Sequence, residues 1–417
     1  MAVSLVRLRR QLQSRVIRSV RESRFFPRTM SNRLGQDEQL AGSAFDSTVI
    51  VYFPDALDTL YQITPWLPAF EALHADQRVT IVCQDSRVAA QLATLSTIPV
   101  ATIARYGTLD DMLARSDVKL ALYVSHAPRN FECLRFTSLM HVYLGHGESD
   151  KGVSASNQLK AYDYAFLPGE PAVERIRTRL MKFDADAHTM IVGQPQNVVL
   201  SSTLRTDGRR TVLYAPTWEG AQPSVAYSSV ISHGGAMVDS LLADSRFVVD
   251  YRPHPLSGVT SRDYAGATHD IAAAIERANK ERPGAGHRVI RAEDESLEAS
   301  FARADLLVCD VSAVSSAWLP SLKPLVVTLP ATAQTVDADS GLLEALPRLT
   351  AEQSSDAAAY LWPLIDNDHA ATDRKELVAR FLSAFSPEES IAAFVGACRR
   401  VAVERDAERE RLGATGV

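Results

Sequence analysis

Cysteine is scarce in this sequence: 417 residues contain four, and no two of them form a CxxC pair. Structural zinc sites and disulfide scaffolds depend on closely spaced cysteines, so neither is expected. Cys83 and Cys309 lie inside apolar runs that are typical of buried strands, where cysteine acts as a small core residue. The four cysteines are therefore expected to serve packing.

Long apolar runs are also lacking. No stretch of 18 apolar residues occurs, which predicts that no helix spans a membrane. The N-terminus has no apolar core region and no small-residue cleavage site, which argues against a secretory signal. We therefore expect a protein of the cytosol or of the cytoplasmic face of the cell membrane. Repeats of 20–50 residues and low-complexity segments are absent as well.

The charge is small overall but unevenly distributed. The net charge of −6 argues against general nucleic-acid binding, yet residues 1–33 hold nine Arg and one Glu. Apolar residues of this segment share one helical face: Leu5, Leu8, Leu12, Val16 and Val20. A basic amphipathic helix over residues 1–24 would suit an anionic membrane surface. A disordered basic tail and a helix packed on a partner are the alternatives.

From about residue 47 the sequence alternates short apolar runs with helical patterns. Such alternation predicts α/β architecture with parallel sheets that are buried on both faces. A polar stretch at 201–210 interrupts the pattern, which then resumes. We predict a basic segment at 1–33, Rossmann-like domains at 45–200 and 211–372, and a helical segment at 373–417.

Ligands of parallel sheets bind outside the carboxyl ends of the strands, so the residues that follow strands are the first candidates for a site. HGESDKG, which begins with His146 and Gly147, follows one predicted strand. A histidine there can act as a general base, and Lys151 can neutralise a phosphate. In APTWEG, Thr217 can donate to phosphate and Trp218 can pack on a base or sugar. Ordinary turns are the alternative in both cases.

Two further segments follow strands of the second predicted domain. In YRPHP, prolines flank His254 and stiffen the loop, so that Arg252 and His254 can hold a phosphate or an oxyanion. In DVSAVSS, Asp310 ends a strand and hydroxyl residues open a helix, whose N-terminus can bind phosphate. Those hydroxyl residues are Ser312, Ser315 and Ser316. A surface turn and a simple helix cap are the respective alternatives.

Together, in this order, the four segments resemble the CDP-glycerol:poly(glycerophosphate) glycerophosphotransferase family, whose members build teichoic-acid-like polymers. The resemblance runs from about Leu139 to Val327 and rests on HG…K.G, YAPTW, R.HP and D.S.V. It implies the GT-B fold, with two Rossmann-like domains facing across a cleft and a C-terminal helix packing back. The first domain would bind the acceptor and the second the CDP-linked donor.

The resemblance also implies roles for individual residues. His146 corresponds to the proposed base, and His254 with Arg252 to a motif that stabilises the pyrophosphate. Thr217, Asp310 and Ser312 fall on positions that line the donor site. The implied reaction transfers glycerol phosphate from CDP-glycerol to a lipid-linked polymer and releases CMP, at the membrane surface and with no cofactor or tightly held metal.

Some residues depart from the family pattern. Glu219 stands where the family has Arg, and Val311 and Ala313 replace Tyr and Ser. Ala317 aligns with a position that is usually acidic. The phosphate-end residues are thus largely kept, while those near the nucleotide differ. A different CDP-polyol, a nucleotide sugar used by a GT-B glycosyltransferase, or a catalytically silent homologue are the alternatives.

Overall fold

The computed structural model describes residues 18–23, 25–147, 156–196, 202–220, 228–328, 346–383 and 386–414. Its first sheet has seven parallel strands in the order β3-β2-β1-β4-β5-β6-β7. The strands are β1 (Val49–Phe53), β2 (Val79–Cys83), β3 (Val100–Thr102), β4 (Leu120–Tyr123), β5 (Met140–Tyr143), β6 (Tyr164–Leu167) and β7 (Thr189–Ile191). The strand order changes direction between β1 and β4, which creates a crevice at their carboxyl ends.

The second sheet has six parallel strands in the order β10-β9-β8-β11-β12-β13. The strands are β8 (Arg210–Ala215), β9 (Phe247–Tyr251), β10 (Arg288–Val289), β11 (Leu306–Asp310), β12 (Leu325–Thr328) and β13 (Arg348–Leu349). Its change of direction falls between β8 and β11. Strand β13 has only two residues, too few for a periodic pattern, and sequence analysis did not predict it.

Helices cover both sheets. The α-helices are α1 (Asp37–Leu40), α2 (Leu67–Asp76), α3 (Ser86–Leu95), α4 (Tyr106–Ala114), α5 (Asn130–Cys133), α6 (Glu170–Arg179), α7 (Ala185–His188), α8 (Gly235–Ala243), α9 (Arg262–Glu281), α10 (Leu297–Arg303), α11 (Ala313–Trp318), α12 (Ala357–Asp366), α13 (Ala371–Leu382) and α14 (Pro387–Ala414). Shorter 3₁₀ turns occur at Leu57–Gln62, Thr64–Trp66, Asn157–Ala161, Leu319–Ser321 and Glu352–Asp356, and a π-turn at Val230–Gly234. No helix in this part of the chain has the length and apolarity to cross a membrane.

Alternate residues of β1 explain why both faces of the sheet are covered. Val49, Val51 and Phe53 pack into one apolar cluster, whereas Ile50 and Tyr52 pack into another on the opposite face. All five side chains are buried. A strand with apolar residues on both faces needs a layer on each side, which confirms the predicted doubly wound α/β sheets.

The long C-terminal helix α14 packs back on the first sheet. Phe394 is fully buried against Trp66, Phe70 and Phe166. Nearby, Arg405 donates to the carbonyl oxygens of residues 138 and 118 at 2.9 and 3.2 Å. The C-terminal helix thus joins the core of the domain that opens the chain, as predicted.

Residues 25–37 lie along the carboxyl ends of β2 and β3. Asn32 donates its backbone N–H to Asp85 at 3.1 Å, and the Gln36 N–H donates to the Thr102 carbonyl at 2.7 Å. Arg87 holds the segment by donating to the carbonyl oxygens of residues 26 and 30. The helical residues 18–22 therefore join the domain at the carboxyl-terminal end of the sheet, where the candidate site also lies.

Candidate active site

The two histidines of the sequence motifs meet across the cleft through Tyr61. Tyr61 lies in the 3₁₀ turn that follows β1, and its ring contacts His146 with centroids 6.2 Å apart. The same ring contacts His254, from the second sheet, at 5.8 Å. Both contacts are edge-to-face, with interplanar angles of 88° and 81°. A group that contacted both histidines would therefore also lie next to Tyr61.

The turn that carries His146 is fixed from behind by Trp66. The indole N–H of Trp66 donates to the Gly145 carbonyl at 2.8 Å in a buried position. Gly145 has a φ of 71°, a conformation that residues with a Cβ rarely adopt. His146 follows this turn with its side chain exposed to the cleft. Lys151, the other candidate of this motif, lies outside the described residues.

His254 follows β9 and is oriented on two sides. Its Nδ1 accepts a hydrogen bond from the backbone N–H of Leu256 at 3.1 Å, so the neutral ring carries its proton on Nε2. The Trp218 ring lies 6.3 Å away at an interplanar angle of 22°. An Nε2–H group is a donor that suits a phosphate oxygen.

Glu219, which departs from the family pattern, anchors the loop that follows His254. Its carboxylate accepts from the backbone N–H groups of Gly258, Thr260 and Ser261 at 2.9–3.1 Å, and from the Thr260 hydroxyl. Burial alone would raise the pKa of Glu219, but these bonds lower it below its usual value. A carboxylate just before helix α9 also complements the helix dipole.

Asp310 ends β11 and is fully buried. Its carboxyl group accepts from the backbone N–H groups of Thr217 and Ser229 at 2.7 and 3.1 Å, and from the Thr328 hydroxyl. Burial raises its pKa to about 6, although these hydrogen bonds oppose the shift. Because the side chain has no exposed surface, its effect on a bound donor would be transmitted through Thr217.

The hydroxyl residues after Asp310 begin helix α11. The Ser312 side chain caps the helix by accepting from the Val314 N–H at 3.3 Å, and the Ser315 hydroxyl donates to the Ser312 carbonyl at 2.7 Å. Ser316 is buried as well. Ser312 therefore caps helix α11 in this structure, and phosphate binding by the three serines stays a prediction.

The Arg252 side chain contacts the segment before helix α10. Its guanidinium donates to the carbonyl oxygen of Glu295 at 2.8 Å and to the Ser300 hydroxyl at 3.1 Å, next to helix α10. Burial lowers its pKa below the usual arginine value. Its role in binding pyrophosphate stays a prediction, and in this structure it holds the segment before α10.

Gly147 lies at a close contact between the two domains. A Cβ atom at this position would lie 2.8 Å from the Cβ of Ala313, the first residue of α11. Real Cβ atoms do not come so close, so the approach depends on the glycine. Gly147 and Ala313 therefore let the His146 turn sit directly against the helix that follows Asp310.

Comparison with known protein families and with curated protein sequences gave no significant match. Solved structures are similar. The wall teichoic acid polymerase TagF, in a variant soaked with CDPG, aligns over 98% of this chain and 100% of its own, with a TM-score of 0.55 and 13% identity. A glycosyltransferase from Rickettsia africae aligns over 86% and 99%, with a TM-score of 0.52 and 10% identity.

The chain has the GT-B fold. A protein of Listeria monocytogenes assigned as a UDP-N-acetylglucosamine 2-epimerase has a similar structure, with a TM-score of 0.54, 13% identity, and coverage of 80% of this chain and 91% of that one. At these identities the likeness concerns the fold. The predicted fold class, with two Rossmann-like domains across a cleft, is confirmed.

A polar group on the first-domain side of the GT-B cleft was not predicted from the sequence. Asp55 follows β1, and its carboxyl group accepts from the Ser125 hydroxyl, which follows β4, at 3.0 Å. Next to Ser125, the His126 ring stacks on Tyr143 with centroids 4.0 Å apart and an interplanar angle of 5°. Like His146, these residues follow the ends of strands, and that position is the sequence signal that marks them as candidates.

The candidate site offers no metal centre among the residues that the structure describes. No group of three or more His, Cys, Asp or Glu side chains there is arranged to hold an ion. Burial raises the pKa of Asp55, Asp58 and Tyr61, and the charges of the two carboxyl groups raise the pKa of Tyr61 further.

Proposed function

We propose that this protein transfers glycerol phosphate, or a related polyol phosphate, from CDP-glycerol to the hydroxyl end of a teichoic-acid-like or capsular polymer, releasing CMP. The observation that carries the proposal is the contact of Tyr61 with both His146 and His254. One histidine belongs to each domain, so a base and a phosphate ligand face one another where the domains meet.

The chemistry follows from these positions. His146 takes the proton of the acceptor hydroxyl, whose oxygen attacks the phosphorus that carries the glycerol. A new P–O bond forms to the acceptor while the P–O bond to CMP breaks. His254, with its proton on Nε2, donates to the oxygen on which negative charge develops. TagF, soaked with CDPG in the similar structure, supports a CDP-linked donor.

The donor would lie on the second domain, near the ends of β8 and β11. Thr217 is held there by the buried Asp310, and Trp218 lies half-buried beside His254. We place the phosphates near Thr217 and Ser312, and the aromatic face of Trp218 against the base or the polyol. Gly147 and Lys151 complete the proposed set from the first domain.

We further propose that residues 1–24 contact an anionic membrane that carries a lipid-linked acceptor. Residues 1–17 and 24 lie outside the described part of the chain. Residues 25–37, however, are bonded to the carboxyl ends of β2 and β3, and His146 follows the carboxyl end of β5 in the same sheet. A basic segment that begins at this end of the sheet would bring the site close to the membrane surface.

A nucleotide-sugar transferase is the second candidate. The family's Arg is replaced by Glu219, whose carboxylate is engaged with the loop that follows His254 rather than directed to a ligand. The similar structures include a glycosyltransferase and a protein assigned as an epimerase of a UDP sugar. A silent homologue would bind the CDP ligand without turnover.

A donor panel separates these candidates. The full chain is incubated with CDP-glycerol, another CDP-polyol, and UDP- and GDP-sugars, and the released CMP, UMP, UDP or GDP is quantified. We expect CMP from a CDP-linked donor, and loss of that signal in His254→Ala. Release of UDP or GDP would favour a sugar transferase. Calorimetric binding of CDP-glycerol without release of any nucleotide would favour the silent homologue.

A further inference from the structure

Asp55, His126 and His146 follow the ends of three adjacent strands, β1, β4 and β5. In the first sheet Val51 pairs with Leu122, and Tyr123 pairs with Tyr143. His126 follows Ser125 directly, and it lies close enough to His146 for the charge of that histidine to act on it. The 3.0 Å hydrogen bond from Ser125 to Asp55 shows that the chains stay side by side beyond the strands.

The His126 ring has an unmet hydrogen-bonding need. Its Nδ1 is shielded from solvent and has no partner among the residues that the structure describes. Buried polar atoms in native proteins are almost always hydrogen-bonded, so an orphan next to a cleft indicates a missing ligand or water. Burial, and secondarily the charge of His146, lowers the pKa of His126 to about 4, so the ring is neutral near pH 7.

A second orphan lies in the turn that carries Tyr61. Gln62 Oε1 is buried and has no hydrogen-bond partner in the described part of the chain, while its amide nitrogen contacts the Tyr61 hydroxyl at 3.4 Å. An amide oxygen can only accept, so it requires a donor. This need arises on a different segment from that of His126.

The chemistry of Asp55, Ser125 and His126 favours hydroxyl groups over phosphate. A carboxyl group, a serine hydroxyl and a neutral imidazole supply acceptors and donors without a net positive charge. Arg129 and Asp58 act on Asp55 with opposite sign, so the surroundings add no clear cationic character. A polyol or sugar, which presents alternating O–H groups, satisfies these atoms better than an anion does.

We propose that Asp55, Ser125 and His126 form a subsite that binds the hydroxyl groups of an uncharged polyol or sugar at the end of the acceptor. His126 is near His146, so an acceptor bound at the subsite would present a neighbouring hydroxyl to that histidine. This proposal rests on the proposed function, because the ligand is an acceptor only if the protein is the proposed transferase. Binding of a polyol or sugar can be measured separately from turnover.

Saturation-transfer NMR on the full chain tests the subsite, with glycerol, ribitol, glucose and N-acetylglucosamine as probes. We expect at least one probe to bind. Asp55→Asn and His126→Gln should weaken that binding by about tenfold or more, because each removes a hydrogen bond to a buried polar group. Asp110→Asn, on the exposed side of α4, is the matched control and should bind as the wild type does.

Calorimetry with CDP distinguishes a local from a general effect. We expect CDP binding within about twofold of wild type in Asp55→Asn, His126→Gln and the milder Ser125→Ala, since none of these residues lies on the second domain. The proposal would be overturned if no probe bound the wild type, if the variants bound like it, or if CDP binding fell in parallel. Failure of every donor to turn over would contradict the proposed function and leave this result standing.

Discussion

At the scale of single residues, the two motif histidines differ in how they are held. His146 is exposed after a turn fixed by Trp66, whereas His254 is oriented by the Leu256 N–H and the Trp218 ring. An exposed imidazole can exchange protons with an acceptor and with water. A ring whose Nδ1 already accepts is committed to donating from Nε2.

We expect His146→Ala to lower kcat by about 10²-fold or more, the usual effect of removing a general base. Donor binding should survive, because His146 meets the acceptor. The acidic limb of the pH–rate profile should change in His146→Ala, whereas loss of the His254 donor lowers kcat without necessarily moving that limb. His269→Ala, on the exposed side of α9, is the control. Wild-type turnover by His146→Ala would exclude this mechanism.

Asp310 gives a prediction that separates positioning from stability. In Asp310→Asn the amide group can accept at only one atom, so the N–H of Thr217 or that of Ser229 faces a donor. We expect a loss of about 1–3 kcal/mol in the free energy of unfolding, and a higher KM for the donor. Urea denaturation and steady-state kinetics measure the two effects.

Asp305 provides the matched control at the opposite end of the same strand. Its carboxylate is buried and accepts from the Thr211 N–H at 2.8 Å, at the amino-terminal end of the strands and far from the cleft. Asp305→Asn should therefore destabilise the protein but leave the donor KM unchanged. An equal rise in KM for both variants would show that Asp310 has no specific part in donor binding.

At the scale of elements, Glu219 joins the end of β8 to the start of helix α9. Glu219→Gln leaves one oxygen to accept and turns an NH2 group toward backbone N–H groups, so it should lower stability at neutral pH. Glu219→Arg, the residue usual in the family that the sequence resembles, places a cation at three backbone N–H groups. We expect Glu219→Arg to lower the melting temperature by several degrees and to reduce kcat, since the loop that carries His254 loses its anchor.

The pH dependence of this anchor has a defined sign. The pKa of Glu219 is lower in the folded protein than its usual value, so the carboxylate stabilises the fold above the unfolded pKa. That contribution is lost as the pH falls through the folded pKa. The stability difference between wild type and Glu219→Gln should therefore shrink in acid, and a difference that grew below pH about 4 would contradict the assignment.

The basic N-terminal segment is the other element with a testable role. Deleting residues 1–24 should weaken co-sedimentation with phosphatidylglycerol liposomes. The melting temperature should change little, because residues 25–37 keep their hydrogen bonds to the residues that follow β2. Phosphatidylcholine liposomes serve as the control. Unchanged binding would count against membrane contact, and a large loss of stability would indicate a helix packed on the protein.

The elements differ in how far the sequence could predict them. The runs around Ile50 and Val308 are apolar on both faces, so parallel strands were predicted and found. Tyr61, Asp55 and His126 were not predicted as site residues. Their meeting depends on strand register and on the approach of two domains, which join residues far apart in the sequence and leave no local pattern.

At the scale of the whole molecule, two independent sheets must come together for the site to form. The contact of Tyr61 with His254 and that of Gly147 with Ala313 both join the first domain to the second. Interfaces between domains usually permit relative motion. The geometry of the reaction therefore depends on how closely the two domains can approach at Gly147.

Gly147→Ala should separate the domains locally, because the new Cβ would lie 2.8 Å from that of Ala313. Misplacing His146 by about 1 Å relative to the donor is expected to lower kcat/KM on the order of 10²-fold. Gly107→Ala, in helix α4 with no atom near the added Cβ, is the matched control. The double variant Gly147→Ala/Ala313→Gly should recover much of the loss, and a Gly147→Ala protein as active as the wild type would show that close approach here is not required.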